Sequence, residues 1–185
     1  ILDENGVKYG DDIVKIITPL GFGGAAEYYV NSLSVKKSVD ELVKTMKSYM
    51  LEPYYNTIPA KSNVISVLNE LKKRGCSLNV LTASPHATLD ACLKRLGIFD
   101  IFDNVWSCED FNTTKSDPEI YKMAAEKLGK SVEDVIFLDD NFNADKTAKQ
   151  AGMQVIGVYD KSSDEYVDDI KSVTDSYIYD FSELI

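Results

Sequence analysis

Hydrophobic and polar positions follow two styles along the chain. Up to about residue 57, apolar residues recur at three- and four-residue spacing over Asp11–Thr18, Gly24–Leu33 and Ser38 to about Tyr54, which predicts helices throughout. Ser38 reads as the N-cap of the third helix, and Glu41 three residues on completes a capping box. From Ile58 onward the pattern changes. Short β-rich runs at Ser77–Thr82, Val105–Ser107, Val135–Leu138, Gln154–Tyr159 and Ser176–Tyr179 alternate with amphipathic runs at about 61–74, 86–96, 118–128, 143–151 and 164–171. Strands this short, separated by helices of this length, predict an α/β fold with a Rossmann-like, doubly wound parallel sheet. A small all-helical module, residues 1–57, precedes that core, residues 58–185.

Charge narrows the functions such a fold could serve. The 185 residues hold 20 basic and 30 acidic side chains, a formal charge of −10. A surface this negative repels a nucleic-acid backbone and an anionic membrane face, so neither is an expected partner, and phosphate must be handled locally. No run approaches the ~20 consecutive apolar residues of a membrane span, and no charged-then-apolar leader opens the chain. The expected setting is the cytoplasm and the expected state a monomer. Cys76, Cys92 and Cys108 form no CxxC and no zinc spacing, which agrees with reduced structural thiols. The chain opens at Ile1 without a methionine, and Ile1–Val7 reads as a last helical turn stopped at Gly6, so we expect it to begin inside a fold.

In doubly wound sheets, ligands bind at the carboxyl ends of the strands. The first strand ends at Thr82, then Ala83, Ser84 and Pro85; Ser84 suits an N-cap and Pro85 a first helical position, which would aim free backbone N–H groups at an anion beside the Thr82 hydroxyl. Lys115 precedes a helix opened by Pro118 and Glu119, where it can hold a phosphoryl oxygen or clamp an acidic side chain. Val135–Leu138 runs straight into Asp139 and Asp140. Two adjacent carboxylates at the end of a buried strand repel one another, and a hard cation such as Mg²⁺ relieves that cost. The single histidine, His86, reads as a helix-start or surface residue without a catalytic part. Gly21–Gly24, followed by Tyr28 and Tyr29, is compatible with a mobile aromatic loop or with core packing.

Thr82 after an apolar strand, Lys115 ahead of Asp117-Pro118-Glu119-Ile120-Tyr121, and Asp139-Asp140 followed by Ala151-Gly152-Met153 together resemble the second, third and fourth motifs of the haloacid dehalogenase superfamily, in the same order. The resemblance covers about residues 58–160, and residues 1–57 resemble that family's helical cap. It implies a Mg²⁺-dependent phosphatase that hydrolyses a small phosphorylated metabolite through an aspartyl-phosphate. In that reading Asp140 binds Mg²⁺, and Asp139 is a second ligand or orients its water. Thr82, Ala83 and Ser84 hold the phosphoryl oxygens, and Lys115 neutralises the nucleophile and the phosphoryl group. The paired acidic residues favour phosphoryl chemistry over metal-free dehalogenation. The family's first motif, Asp-x-Asp-x-Thr, is absent, since no Asp-x-Asp occurs in the sequence. The expectation is that this strand and its nucleophile lie upstream of Ile1, leaving the core without its first strand. A phosphomutase of the same family and a phosphate-binding pseudoenzyme are the alternatives. A receiver domain also uses an acidic pair, a Thr and a Lys, but there the acidic pair comes first in the chain and here it comes last.

Overall fold

The computed structural model describes residues 1–17 and 20–185; Thr18, which closes the first predicted helical run, lies outside them. The chain forms two compact units, Ile1–Ile58 and Pro59–Ile185. Among the described residues no helix is long and apolar enough to cross a membrane.

The first unit is helical: α1 (Ile13–Ile17), α2 (Gly21–Asn31) and α3 (Val39–Asn56). The predicted terminal turn is a 3-10 turn, Asp3–Asn5, closed by Gly6 in the left-handed region at φ 64°. The capping box of α3 forms as expected: Glu41 N–H donates to Ser38 Oγ at 3.2 Å, and Ser38 N–H donates to Glu41 Oε2 at 2.9 Å. The glycine run is no loop but the first turn of α2. A Cβ at Gly24 would come within 2.8 Å of the Leu20 Cβ, so the tight approach of the helix start selects glycine there. Ala26 and Tyr29 of α2 meet Leu42 of α3 in a small core with Leu2, Ile13 and Val35, the three-and-four spacing that the sequence displays.

The second unit alternates strands and helices: α4 (Val64–Lys73), β1 (Asn79–Thr82), α5 (His86–Arg95), β2 (Asn104–Ser107), α6 (Glu119–Lys127), β3 (Ile136–Asp139), α7 (Phe142–Ala151), β4 (Gln154–Val158), α8 (Val167–Val173) and β5 (Ser176–Ile178). Every strand pairing is parallel. The strands form two ladders, β1-β2 and β3-β4-β5, and no described pairing joins β1 to β3. Thr82 lies opposite Ser107, and Asp139 lies opposite Gly157. β1 starts two residues later than its apolar pattern, because Leu78 is held by Asp103 instead: its N–H donates to Asp103 Oδ2 at 2.9 Å and its carbonyl accepts from Asp103 N–H at 2.7 Å.

One apolar cluster carries residues from both ladders. Ile120, Tyr121, Ala124 and Ala125 of α6 and Ala148 and Ala151 of α7 pack with Val155, and Leu81 of β1, Trp106 of β2 and Phe137 of β3 close around them. The alanines let α6 and α7 approach the strands closely. At Gly157 a Cβ would stand 2.5 Å from Ile170 Cγ2 and 2.7 Å from Tyr177 Cδ2. Only glycine leaves room for α8 and β5 to close over the strand beside Asp139.

Candidate active site

β3 ends at Asp139, and the hydrogen bonds around that carboxylate shape the turn into α7. Asp139 Oδ1 accepts from the N–H groups of Asp140 (3.0 Å) and Asn141 (2.9 Å), and Oδ2 accepts from Lys115 Nζ at 2.6 Å. Asn141 then caps α7, its Oδ1 accepting from Asn143 N–H (3.0 Å) and Ala144 N–H (3.1 Å). Both oxygens of Asp139 are thereby engaged in fixing the loop and the lysine. Its side chain is 10% exposed and that of Lys115 21%, so the pair lies at the edge of the interior, where charge-assisted bonds are strong.

Lys115 is held from behind. The buried Tyr121 hydroxyl lies 2.9 Å from the Lys115 carbonyl oxygen and 3.0 Å from that of Ala144, so one side chain of α6 pins both the lysine's main chain and the first turn of α7. Burial pushes the Tyr121 hydroxyl well above its ordinary pKa, with Asp139 adding to the effect, so it stays a proton donor. Its ring packs edge-on against Phe137 at 5.1 Å, and Lys115 Nζ stands 5.4 Å from the same Phe137 ring. Asp117, in the turn between, accepts from Thr113 Oγ1 and from Glu119 N–H, and these bonds hold its carboxyl below the usual range.

Around Asp140 the charges do not balance. Asp140 has one side-chain partner among the described residues, Lys61 Nζ at 3.4 Å. Lys61 also pairs with Asp160 after β4, whose pKa is lowered to about 2 by Lys61 and Ser162. Asp145, on α7, is fully buried, and among the described residues neither of its oxygens has a hydrogen-bond partner. Burial, with Asp139 and Asp140 beside it, pushes its carboxyl up to about 8. Among the described residues three carboxylates, Asp139, Asp140 and Asp160, thus pair with two ammonium groups, Lys61 and Lys115, and the buried Asp145 pairs with neither. Among the described residues no three His, Cys, Asp or Glu side chains converge as a metal cage. The donors are hard oxygens, acid is in excess, and one carboxyl is orphaned. That set fits a cation such as Mg²⁺, which takes one or two carboxylates and keeps water and substrate oxygens for the rest.

The other strand end differs. Thr82 Oγ1 accepts from Ser84 N–H at 3.1 Å, so the threonine organises the turn after β1 through Ala83. The helix starts one residue later than expected: Pro85, in extended conformation, is the N-cap of α5 and His86 its first residue, so Ser84 is not the cap. Thr88 Oγ1 donates to the Pro85 carbonyl at 2.9 Å and stabilises this start. His86 stands at a helix start, as the sequence suggests, and both its ring nitrogens are engaged, Nδ1 2.9 Å from Asp90 Oδ1 and Nε2 2.9 Å from Asp110 Oδ2. Asp90 lies one helical turn on, a spacing visible in the sequence, whereas Asp110 is brought by the turn after β2. Together the two carboxylates raise the His86 pKa. The structure thus joins Lys115 to Asp139 and Thr82 to Ser84, at the ends of separate ladders. An open apolar cleft of about 620 Å³, lined in part by Ile13, Phe22 and Tyr29, lies within the first unit and contains none of these residues.

The model of the haloacid dehalogenase-like hydrolases matches residues 11–152. The chain is 33% identical over 177 residues to the glyceraldehyde 3-phosphate phosphatase of Methanocaldococcus jannaschii, covering 91% of this chain and 70% of that protein. It is 30% identical over 139 residues to the pyrophosphatase PpaX of Bacillus velezensis, covering 75% of this chain and 64% of that protein, so it spans less than two thirds of that relative. Among solved structures, a predicted phosphoglycolate phosphatase from Haemophilus somnus superposes with a TM-score of 0.80 at 20% identity, over 99% of this chain and 84% of that one, a likeness of fold.

Proposed function

The chain belongs to the haloacid dehalogenase-like hydrolase family, and on that premise we propose that it is part of a cytoplasmic, monomeric, Mg²⁺-dependent phosphatase of small phosphorylated metabolites. The Lys115–Asp139 ion pair beside the unbalanced Asp140 carries this reading. In it, the 1–57 module is the cap that selects substrate and the 58–185 core performs the chemistry. Asp140 holds the cation. Asp139, with both oxygens engaged, positions Lys115 and the loop. When bound, the cation neutralises phosphoryl charge and orients the phosphate.

The chain's own residues prepare the phosphoryl site in the following way. The Lys115 ammonium has three donors and spends one on Asp139, so two remain for the nucleophilic carboxylate and a phosphoryl oxygen. The Thr82 hydroxyl, which accepts from Ser84 N–H, keeps its own proton to donate to a phosphoryl oxygen, and the Ala83–Ser84 backbone lies along the same turn. Residues 1–185 contain no Asp-x-Asp, so in this reading the attacking aspartate comes from outside them. Its carboxylate oxygen bonds to phosphorus as the P–O bond to the substrate oxygen breaks and that oxygen leaves with a proton as the alcohol; water then loses a proton as it attacks phosphorus, the P–O bond to the aspartate breaks, and inorganic phosphate leaves with the carboxylate regenerated.

Phosphate release from p-nitrophenyl phosphate by the protein carrying its first-motif strand, with Mg²⁺ and with EDTA, tests the reading beside Asp140→Ala. Metal-dependent release that falls at least about 100-fold in the variant is expected. Release that is indifferent to EDTA and to Asp140→Ala would overturn it.

A further inference from the structure

Lys61 stands in the short segment between Pro59 and α4, outside every motif that pointed to the site. Its ammonium reaches two carboxylates that the sequence places 79 and 99 residues away, Asp140 at 3.4 Å and Asp160 in closer contact. The segment is fixed where it stands: two residues on, Asn63 Nδ2 donates to Asp180 Oδ1 at 2.8 Å. Asp160 is an anchored partner, because its Oδ1 accepts from Ser162 N–H (2.7 Å) and Ser162 Oγ (2.5 Å), leaving Oδ2 to Lys61. Asp140 has no such anchor. Its side chain meets only Lys61 among the described residues, and at the longer distance.

We propose that Lys61 is the resident counter-ion of Asp140, which competes with a divalent cation for that carboxylate and withdraws onto Asp160 when the cation binds. The inference rests on the reading of Asp140 as the cation's ligand. The physical argument is one of occupancy and charge. An ammonium 3.4 Å from Asp140 Oδ2 covers an approach that a hard cation needs, and its positive charge repels that cation at the same distance. A lysine stem is flexible and the ammonium is a compact point charge, so the group can leave one carboxylate for another without rearranging the backbone. Asp160 keeps the withdrawn charge compensated. Lys61 therefore neutralises Asp140 while no cation is bound and lowers the affinity of the site for one, and Asp160 sets how readily it yields.

Calorimetric titration of the full chain with Mg²⁺ and with Mn²⁺, at one fixed ionic strength, tests this without reference to activity. Lys61→Met should bind each cation about three- to tenfold more tightly than the unaltered protein. Asp160→Asn should bind about two- to threefold more weakly, since Lys61 then has Asp140 as its sole partner. Lys130→Met, before the opposite end of β3, should leave affinity unchanged, which separates a local competition from a general change in charge. Equal or weaker binding by Lys61→Met, with circular dichroism like that of the unaltered protein, overturns the proposal even where Asp140→Ala abolishes binding. An unaltered protein that binds neither cation overturns the metal role of Asp140, and this inference with it.

Discussion

The β1–β2 and β3–β4 strand ends of the second unit both gather acidic side chains but pair them differently. After β1 and β2, a histidine sits between Asp90 and Asp110, both of its nitrogens used, and Thr82 closes the turn with Ser84. After β3 and β4, three carboxyl groups share two lysines, and Asp145 is buried with no hydrogen-bond partner among the described residues. The first arrangement is satisfied at its histidine, each ring nitrogen lying against a carboxylate. The second leaves one interior carboxyl, Asp145, without a hydrogen bond among the described residues, where that is costly. Acidic residues at a strand end are therefore informative only after their partners have been counted.

The largest effect should come from breaking the second arrangement at the part-buried Lys115–Asp139 ion pair. Lys115→Met strips Asp139 of its cation and the phosphoryl site of its two remaining donors; turnover should fall about 10²- to 10³-fold, read as phosphate release, with KM changing less than kcat. A variant that keeps near-normal turnover would place the chemistry elsewhere.

Asp145 sharpens the comparison through stability. Its native pKa of about 8 lies above the ordinary value of 3.8. Between those values the folded protein binds a proton that the unfolded chain releases, so this group makes stability fall as pH rises from about 4 to about 8. Asp145→Asn should remove that slope and melt higher than the unaltered protein at pH 8, by on the order of 2 kcal/mol in urea unfolding without added metal. Parallel pH profiles for the two proteins would show that the buried carboxyl is not the source.

The smallest effect belongs to the satisfied end. The His86 pKa is raised, so its pairing stabilises the fold fully below the unfolded value of about 6.5, and that contribution is lost as pH rises through the higher native value. The triad is about 40% exposed at the histidine, so His86→Gln should cost less than about 1 kcal/mol at pH 6 and almost nothing at pH 9. Unfolding curves at the two pH values measure the difference.

Much of this was legible in the residues. The apolar spacing located the α-helices and strands of the second unit to within about three residues at either end, because amphipathic helices and short buried runs carry their period with them; the short 3-10 turns between them went unread. The Ser38–Glu41 box and the Asp139–Asp140 strand end could be seen for the same reason: their partners are neighbours in sequence. Lys61 could not be seen, since a lone lysine ahead of a helix has no pattern. Nor could the role of Tyr121, whose hydroxyl serves backbone atoms 6 and 23 residues away. The glycine run at 21–24 is compatible in sequence with a mobile loop or a helix start, and the structure makes it the first turn of α2.

By itself, then, the sequence determined what depends on short-range spacing: the two styles of patterning, the order of strands and helices, and the acidic pair, the lysine and the threonine at their strand ends. The tertiary structure alone decided how those ends are neutralised. It gave Lys115 to Asp139, shared Lys61 between Asp140 and Asp160, set His86 between two carboxylates and left Asp145 with no hydrogen bond among the described residues. Ion pairing and burial depend on distances between residues far apart in the chain, and packing of the helices and strands sets those distances.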